Sequence, residues 1–373
     1  MTETREHSSY DRRTVLGAAG SVGLVGTAGC LTDWFGTDTA GDEAEDSLNI
    51  FQWGDYWPDG FVQSFEDEYD IDVNVSNFTS NEEMFNALNA GGTDQYDLIF
   101  PSDYMVNVLH EQEMIQPIDL DRLSNFGNLS QMFRDAPYDP GDDRYSVPYQ
   151  WGTSGIGWNE NLIGDVEITS WEAMWDEEWA GQMTMLDDMR ESIGAALKLL
   201  GYSLNTTDED EIEEAKELLI QQKDLLRTYK SSGFGTDLIN EENSPVHGWS
   251  GEIMASMWET EDEDEGSPIN YIIPEEGSVV WVDTAAITSE AQSPNAAHEF
   301  IDYFLDAENG AEVTNYTYYG SPNEAAEEHI YDEILDDETI YPDDDTMDEL
   351  EYIENIGDAT TIYDEAWTEI TNA

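Results

Sequence analysis

The sequence predicts an α/β fold with a largely parallel sheet and crossover helices, and three observations predict it. From Leu48 onward, short apolar runs alternate with segments whose apolar residues recur at helical spacing. The chain has 373 residues, enough for two domains with sizeable cores. Aromatic and acidic residues collect on loops that leave strands and enter helices, where open α/β sheets hold ligands.

Residues 48–52 read as a short buried strand. Gly54, Pro58 and Gly60 then break the chain, and Phe61, Val62, Phe65 and Tyr69 recur at helical spacing. Trp53, Asp55, Tyr56 and Trp57 are thereby left on the connecting loop. Ile71, Val73 and Val75 alternate as a strand, and Ser80-Asn81-Glu82-Glu83 has the form of a capping box that opens a helix through Met84 and Leu88. Residues 96–100 form a third strand, stopped by Pro101, which places Ser102 and Tyr104 on another strand-to-helix loop. Residues 145–152 read as an extended crossing into a second unit. There, residues 171–179 read as an aromatic helix and Met183–Leu186 as a strand. Residues 187–191 open a helix that Gly201 ends. A long charged helix is predicted over 210–229. Residues 251–258 and 279–283 are read as two further strands ending in aromatics, and the tail closes on an acidic helical stretch. No internal repeat of fixed period is present.

Composition narrows the function. Twelve Lys and Arg face 85 Asp and Glu, a formal charge of -73. The acids run along the whole chain and aromatics make up 12%, so this is not a disordered acidic protein. Such self-repulsion is screened in molar salt, where the Debye length is roughly 3 Å, and the composition reads as that of an extreme halophile's protein. Nucleic acid is excluded as a partner, because phosphate would be repelled. Residues 1–29 are expected to be a twin-arginine lipoprotein signal peptide: Arg12 and Arg13 precede a Gly/Ala/Val run too short to span a bilayer permanently. That run ends at Thr27-Ala28-Gly29-Cys30, similar to a lipobox although Thr27 stands where Leu is commonest. Cys30 is the only cysteine, so disulfides within the chain are excluded and the residue is the candidate lipid anchor. Residues 30–46 read as a flexible tether.

Several short stretches match one family in order. Trp53-Gly54-Asp55-Tyr56, residues 96–102, Tyr149-Gln150-Trp151-Gly152, residues 187–191, residues 201–207, Trp281-Val282-Asp283 and Ser321-Pro322-Asn323 resemble the spermidine/putrescine-binding proteins of ABC importers. The resemblance spans about residues 48–368. It implies a two-lobed, periplasmic-binding-protein-like fold of type II, with two parallel or mixed sheets flanked by helices and a ligand cleft between the lobes. Lobe 1 would hold 47–150 plus 283–328, and lobe 2 would hold 151–282 plus 329–373. The implied protein is a monomer without cofactor or metal. It would be lipid-anchored on the outer face of the cytoplasmic membrane and would pass a polyamine to a permease.

Polyamine chemistry accounts for the residue types. A flexible alkane with a protonated amine every few carbons needs spaced carboxylates and aromatic faces. By analogy Trp281 would stack on the alkyl chain, with Trp53, Tyr56, Trp258 and Tyr319 as further walls. Asp283 would pair with one amine, Asp188 and Glu191 would hold another, and Ser102 and Tyr104 would offer hydroxyls. Asp188 and Glu191 equally have the spacing of N-cap and N3 in a capping box. Gly54 stands where spermidine-type members carry a hydroxyl residue, Ile353 stands near where they place a Gln, and Asp55 before Tyr56 is similar to the putrescine branch. Two other classes compete. Tyr318 and Tyr319 resemble the paired phenolates of ferric-ion-binding relatives, and paired carboxylates can hydrolyse glycosides. No nucleophile elbow, phosphate loop or HExxH motif supports an enzyme.

Overall fold

The computed structural model describes residues 45–54, 56–134, 138–139, 143–261 and 266–373. The expected signal segment, with Arg12, Arg13 and Cys30, and the loop residue Asp55 lie outside these.

Nine strands carry the sheet among the described residues: β1 (Ser47–Trp53), β2 (Asp72–Phe78), β3 (Leu98–Ile99), β4 (Val147–Asn159), β5 (Met183–Leu186), β6 (Leu226–Lys230), β7 (Val246–Trp249), β8 (Ile269–Ile272) and β9 (Val280–Ile287). They follow the order β2-β1-β3-β9-β4-β7-β5-β6, with β8 also paired to β4. Two parallel blocks, β2-β1-β3 and β7-β5-β6, are the crossover units that the strand–helix alternation predicts. Antiparallel β9 and β4 join them, so the sheet is mixed rather than largely parallel.

β4 is the long crossing, and every one of its residues is buried. Its first half pairs with β9, and its second half with β7 and β8. Gly152 permits a close approach within this pair: a Cβ there would lie 2.6 Å from Cζ2 of Trp281.

Three elements depart from the sequence reading. Residues 251–258 are not a strand but most of the helix Ser250–Glu259, in which Ile253, Met254 and Ser256 are buried. Met and Ala are good helix formers, and the strand of this region is the preceding β7. The charged helix stops at Gln222, and Tyr229 belongs to β6. Residues 171–179 form two short 3-10 turns, Trp171–Trp175 and Glu177–Trp179, rather than one helix.

Residues Glu45–Ala373 form one contact unit, within which the apolar clusters divide. Leu48, Ile50, Phe65, Phe100, Val147, Ala285 and Phe300 belong to one cluster, and Phe51, Met84, Ile99, Val106 and Ala286 to a second. A third draws on Ile156, Trp171, Met183, Ile193, Leu219 and Tyr363. The helix Ala307–Thr317 serves both sides, since Val313 packs with the first cluster and Ala311 with Phe234, Ile253 and Ile334.

Candidate ligand-binding site

β1 ends on Trp53, and the loop after it carries Tyr56. After β3, Pro101 stops the strand and Ser102 is the N-cap of the helix Asp103–Glu111, so Asp103 and Tyr104 stand in that helix's first turn rather than on the loop expected for Tyr104. An isolated bridge pairs Ser102 with Asp283 of β9. Around that bridge a hydrogen-bond chain forms: Asn81 Nδ2 donates to Ser102 Oγ (3.1 Å), which donates to Asp283 Oδ1 (2.9 Å). Tyr56 donates its hydroxyl to Asp283 Oδ2 at 2.6 Å, so both oxygens of this carboxylate are oriented. Asn81 sits in the first turn of Asn81–Asn89, whose N-cap Ser80 accepts from Glu83 N at 3.1 Å. Glu83 turns its carboxylate to Thr79 rather than to Ser80, a variant of the expected capping box.

Opposite stands the helix Met189–Leu199. Its N-cap is Asp188, whose Oδ1 accepts from Arg190 N (2.9 Å) and Glu191 N (3.0 Å). Neither cap bond uses Oδ2, so Asp188 both caps the helix and lines the site. Glu191 does not complete a capping box. Its Oε1 accepts from Ser154 Oγ (2.8 Å) and Trp249 Nε1 (3.2 Å). Its Oε2 is buried without a hydrogen bond, 3.9 Å from Nε2 of the buried His247.

These elements enclose a narrow slot of about 80 Å³. Its walls include Trp53, Tyr56, Tyr104, Trp249, Trp281, Tyr319 and Ile353, and its polar groups are Asn81, Ser102, Asp103, Asp188, Glu191 and Asp283. No Lys or Arg is among them. Trp281 meets Tyr319 edge-on at 4.8 Å and packs in a small apolar cluster with Leu204, Val279 and Ile353. Two wider hollows share walls with the slot. Glu82, Asp187 and Asp364 border one, beside Tyr104 and Asp188. Gly233, Glu252 and Thr317 border the other, beside Trp53 and Tyr319.

Burial raises every one of the slot's acids. Asp283 is pushed up to about 6, held from rising further by the Tyr56 and Ser102 hydroxyls. Desolvation carries Glu191 and Asp103 to about 8, and neighbouring carboxylates add to it. Asp188 is raised by burial against its two cap bonds. Arg190 lowers Asp188 only in part, while its guanidinium donates to Glu354 O, Leu204 O and Asn205 Oδ1.

Of the residues expected from sequence, the structure gathers Trp53, Tyr56, Ser102, Tyr104, Asp188, Glu191, Trp281, Asp283 and Tyr319 around the slot. Trp258 is placed elsewhere. It stands in the last turn of the helix Ser250–Glu259 and packs edge-on against Tyr318 at 4.4 Å. Trp249, at the end of β7, supplies the wall instead. Asn81 and Asp103 join the site without having been singled out as ligand contacts. The paired phenols diverge: Tyr318 takes a left-handed backbone (φ 59) and faces Trp258, whereas Tyr319 faces Trp281. Near Ile353, Glu351 pairs with Lys198 Nζ at 2.9 Å.

Comparison with known proteins places the family and the fold. The model of the bacterial extracellular solute-binding protein family matches residues 60–342. The spermidine/putrescine-binding periplasmic protein of Salmonella typhimurium is 34% identical, over 92% of this chain and 96% of its own. The putrescine/cadaverine-binding protein of Pseudomonas aeruginosa is 30% identical, over 88% and 94%. Among solved structures, the PotD lipoprotein Tp0655 of Treponema pallidum superposes with a TM-score of 0.77 at 29% identity, covering 87% of this chain and 99% of that one. The spermidine/putrescine substrate-binding protein PotD of Streptococcus pneumoniae gives 0.75 at 29%, covering 88% and 99%. With the family model matching residues 60–342 and a relative 34% identical over nearly the whole length, this chain belongs to the bacterial extracellular solute-binding protein family.

Proposed function

We propose that this protein is the substrate-binding component of an ABC importer, capturing a linear polyamine and delivering it to a membrane permease, with no chemistry performed on the ligand. One observation carries the reading: buried carboxylates at two sides of an aromatic slot, with no cationic side chain lining it. Buried charges persist when paired, and a polyamine supplies both the ammonium groups and the methylenes that aromatic faces cover. The divergence of Tyr318 and Tyr319 removes the support for ferric-ion binding through adjacent phenolates.

The division of apolar clusters supports two lobes, 47–150 plus 283–328 and 151–282 plus 329–373, with Asp283 and Ser102 on the first and Asp188, Glu191 and Trp249 on the second. A ligand bridging the two favours the closed form by mass action, by about 2.7 kcal/mol at a hundredfold excess over Kd. In molar salt, putrescine or spermidine is therefore expected to raise the melting temperature, and amino acids and maltose are not. A shift with Fe³⁺ and none with any polyamine would move the assignment to iron.

The charge of -73 supports a protein that works monomeric in brine. Residues 12–30 support twin-arginine export and a lipid on Cys30. A Cys30→Ser precursor is expected to be released or left unprocessed, and replacing Arg12 and Arg13 by Lys to block export. A wild-type mature chain found free in the medium, starting well past Cys30, would refute the anchor.

A further inference from the structure

We infer that His247, which lies behind the slot and is not among its walls, is a positioning residue for ligand capture. As a neutral imidazole it donates Nε2–H to Oε2 of Glu191 once an ammonium group stands before that carboxylate. The inference rests on the polyamine reading and adds a residue that the ligand itself does not touch.

His247 is the second residue of β7, is 1% exposed, and lies across from Ile156 of β4 in the ladder. Trp171 meets its ring edge-on at 5.0 Å. Neither Nδ1 nor Nε2 has a hydrogen-bond partner, and neither has Oε2 of Glu191, 3.9 Å from Nε2. Among the described residues Glu191 is the one ion-pair neighbour of this ring. Three buried polar atoms left unpaired side by side carry a desolvation cost that native interiors rarely bear. Packing gives no reason for them. Ile156 and Trp171 belong to an apolar cluster with Met183 and Ile193, where a methionine would fill the place without stranded nitrogens.

Occupation of the slot gives these atoms a use. Oε1 of Glu191 is already held by Ser154 Oγ and Trp249 Nε1, whereas Oε2 is held by nothing. In the empty site burial keeps this carboxyl largely protonated at neutral pH, and a protonated carboxyl asks little of its surroundings. An arriving ammonium makes Glu191 a carboxylate, and Oε2 then needs a donor on the side away from the ligand. Closing the gap to Nε2 by about 1 Å brings the two into hydrogen-bond range. The charge of the ring decides what this contact does. An imidazolium would neutralise Glu191 and stand in for the ammonium. A neutral imidazole steadies the carboxylate and leaves its charge to the ligand, and burial without a polar partner holds His247 in that neutral form.

The test compares two variants with the wild type, with spermidine as the probe. His247→Met keeps the volume and removes the donor; His247→Gln keeps an amide N–H near the position of Nε2. Calorimetry in molar salt is expected to show His247→Met weakened about tenfold, the size of one hydrogen bond to a charged group, and His247→Gln within about threefold of wild type. Glu191 without this donor is harder to ionise, so in His247→Met the rise of affinity with pH should also move to higher pH. Nitrogen-15 spectra of the wild-type ring, assigned by their loss in His247→Gln, are expected to show the neutral Nε2–H tautomer with and without spermidine, its proton moving downfield on saturation. An imidazolium in the empty protein, a ring unchanged by saturation, or a His247→Met variant with the affinity and pH profile of wild type would overturn the inference and leave the polyamine reading standing. Failure of the wild type to bind any polyamine would remove both. If His247→Met does not fold, the wild-type spectra decide alone.

Discussion

Asp283→Asn is expected to weaken polyamine binding at least about a hundredfold, because breaking a buried charge pair from one side costs about 3–5 kcal/mol. The substitution is close to isosteric. Tyr56 can still donate to the retained oxygen, and Ser102 can accept from the new amide instead of donating. The ligand-free protein should therefore keep its melting temperature, and the loss appears in Kd alone. Molar salt does not protect the variant, since the contact lies in a slot from which ions are excluded, and long-range attraction is already screened there. Protonation gives a second readout. Asp283 in the empty site is held at about 6 and Glu191 at about 8, and an arriving ammonium lowers both. Binding near neutral pH then releases protons, and affinity rises with pH between about 6 and 8. Calorimetry in two buffers of different protonation enthalpy measures the release, which Asp283→Asn should reduce. Asp343, exposed and bonded to Thr346 N at 2.8 Å, serves as the control, and Asp343→Asn should change nothing. An Asp283→Asn variant within a few-fold of wild type would mean that the ligand lies elsewhere.

Trp281→Ala attacks the other half of the recognition. The indole is 9% exposed, meets Tyr319 edge-on and shares a small apolar cluster with Ile353. Its removal deletes a face for the methylenes and a cation–π partner, together worth about 2–3 kcal/mol, or on the order of a hundredfold in Kd. These contributions do not fade with screening, so the loss should be the same at low and high molar salt. Unlike Asp283→Asn, this change should also destabilise the empty protein by about 3 kcal/mol, the low end for a Trp-to-Ala truncation, because one side of the ring already borders a cavity. Denaturant unfolding of the ligand-free variant measures that part separately. An intact Kd beside a lowered stability would make Trp281 a core residue and not a wall.

Much of this arrangement is legible in the sequence because it sits where strands hand over to helices. Trp53, Tyr56, Ser102 and Tyr104 follow short apolar runs that end at Gly or Pro, and their placement follows from the alternation of elements. Asp188 and Glu191 were readable as a cap, and the structure keeps the cap at Asp188 while turning Glu191 to Ser154 and Trp249. Trp249 was hidden because β7 is four residues long and contains His247 and Gly248, which mask its period. Trp258 stands out in its place because Gly251 to Trp258 is apolar enough to pass for a strand. In such short runs only tertiary packing separates helix from strand. Asn81 and Asp103 look like ordinary first-turn residues. That they face the slot depends on how their helices lie against β9, which no local pattern encodes. The antiparallel return of β9 and β4 was equally invisible, since pairing direction is decided by connections more than a hundred residues apart.

The slot shares Tyr104 and Asp188 with one wider hollow and Trp53, Tyr56, Trp249 and Tyr319 with another, so space for surplus ligand chain adjoins it. A closed box measures a guest by volume and rejects whatever is too long. An open channel with fixed negative marks works as a gauge: it compares the interval between charges with the interval between carboxylates. Molecules of unequal length can then satisfy the same marks if their amines fall in step, with surplus chain lying in a hollow. One of equal length but altered spacing would be refused.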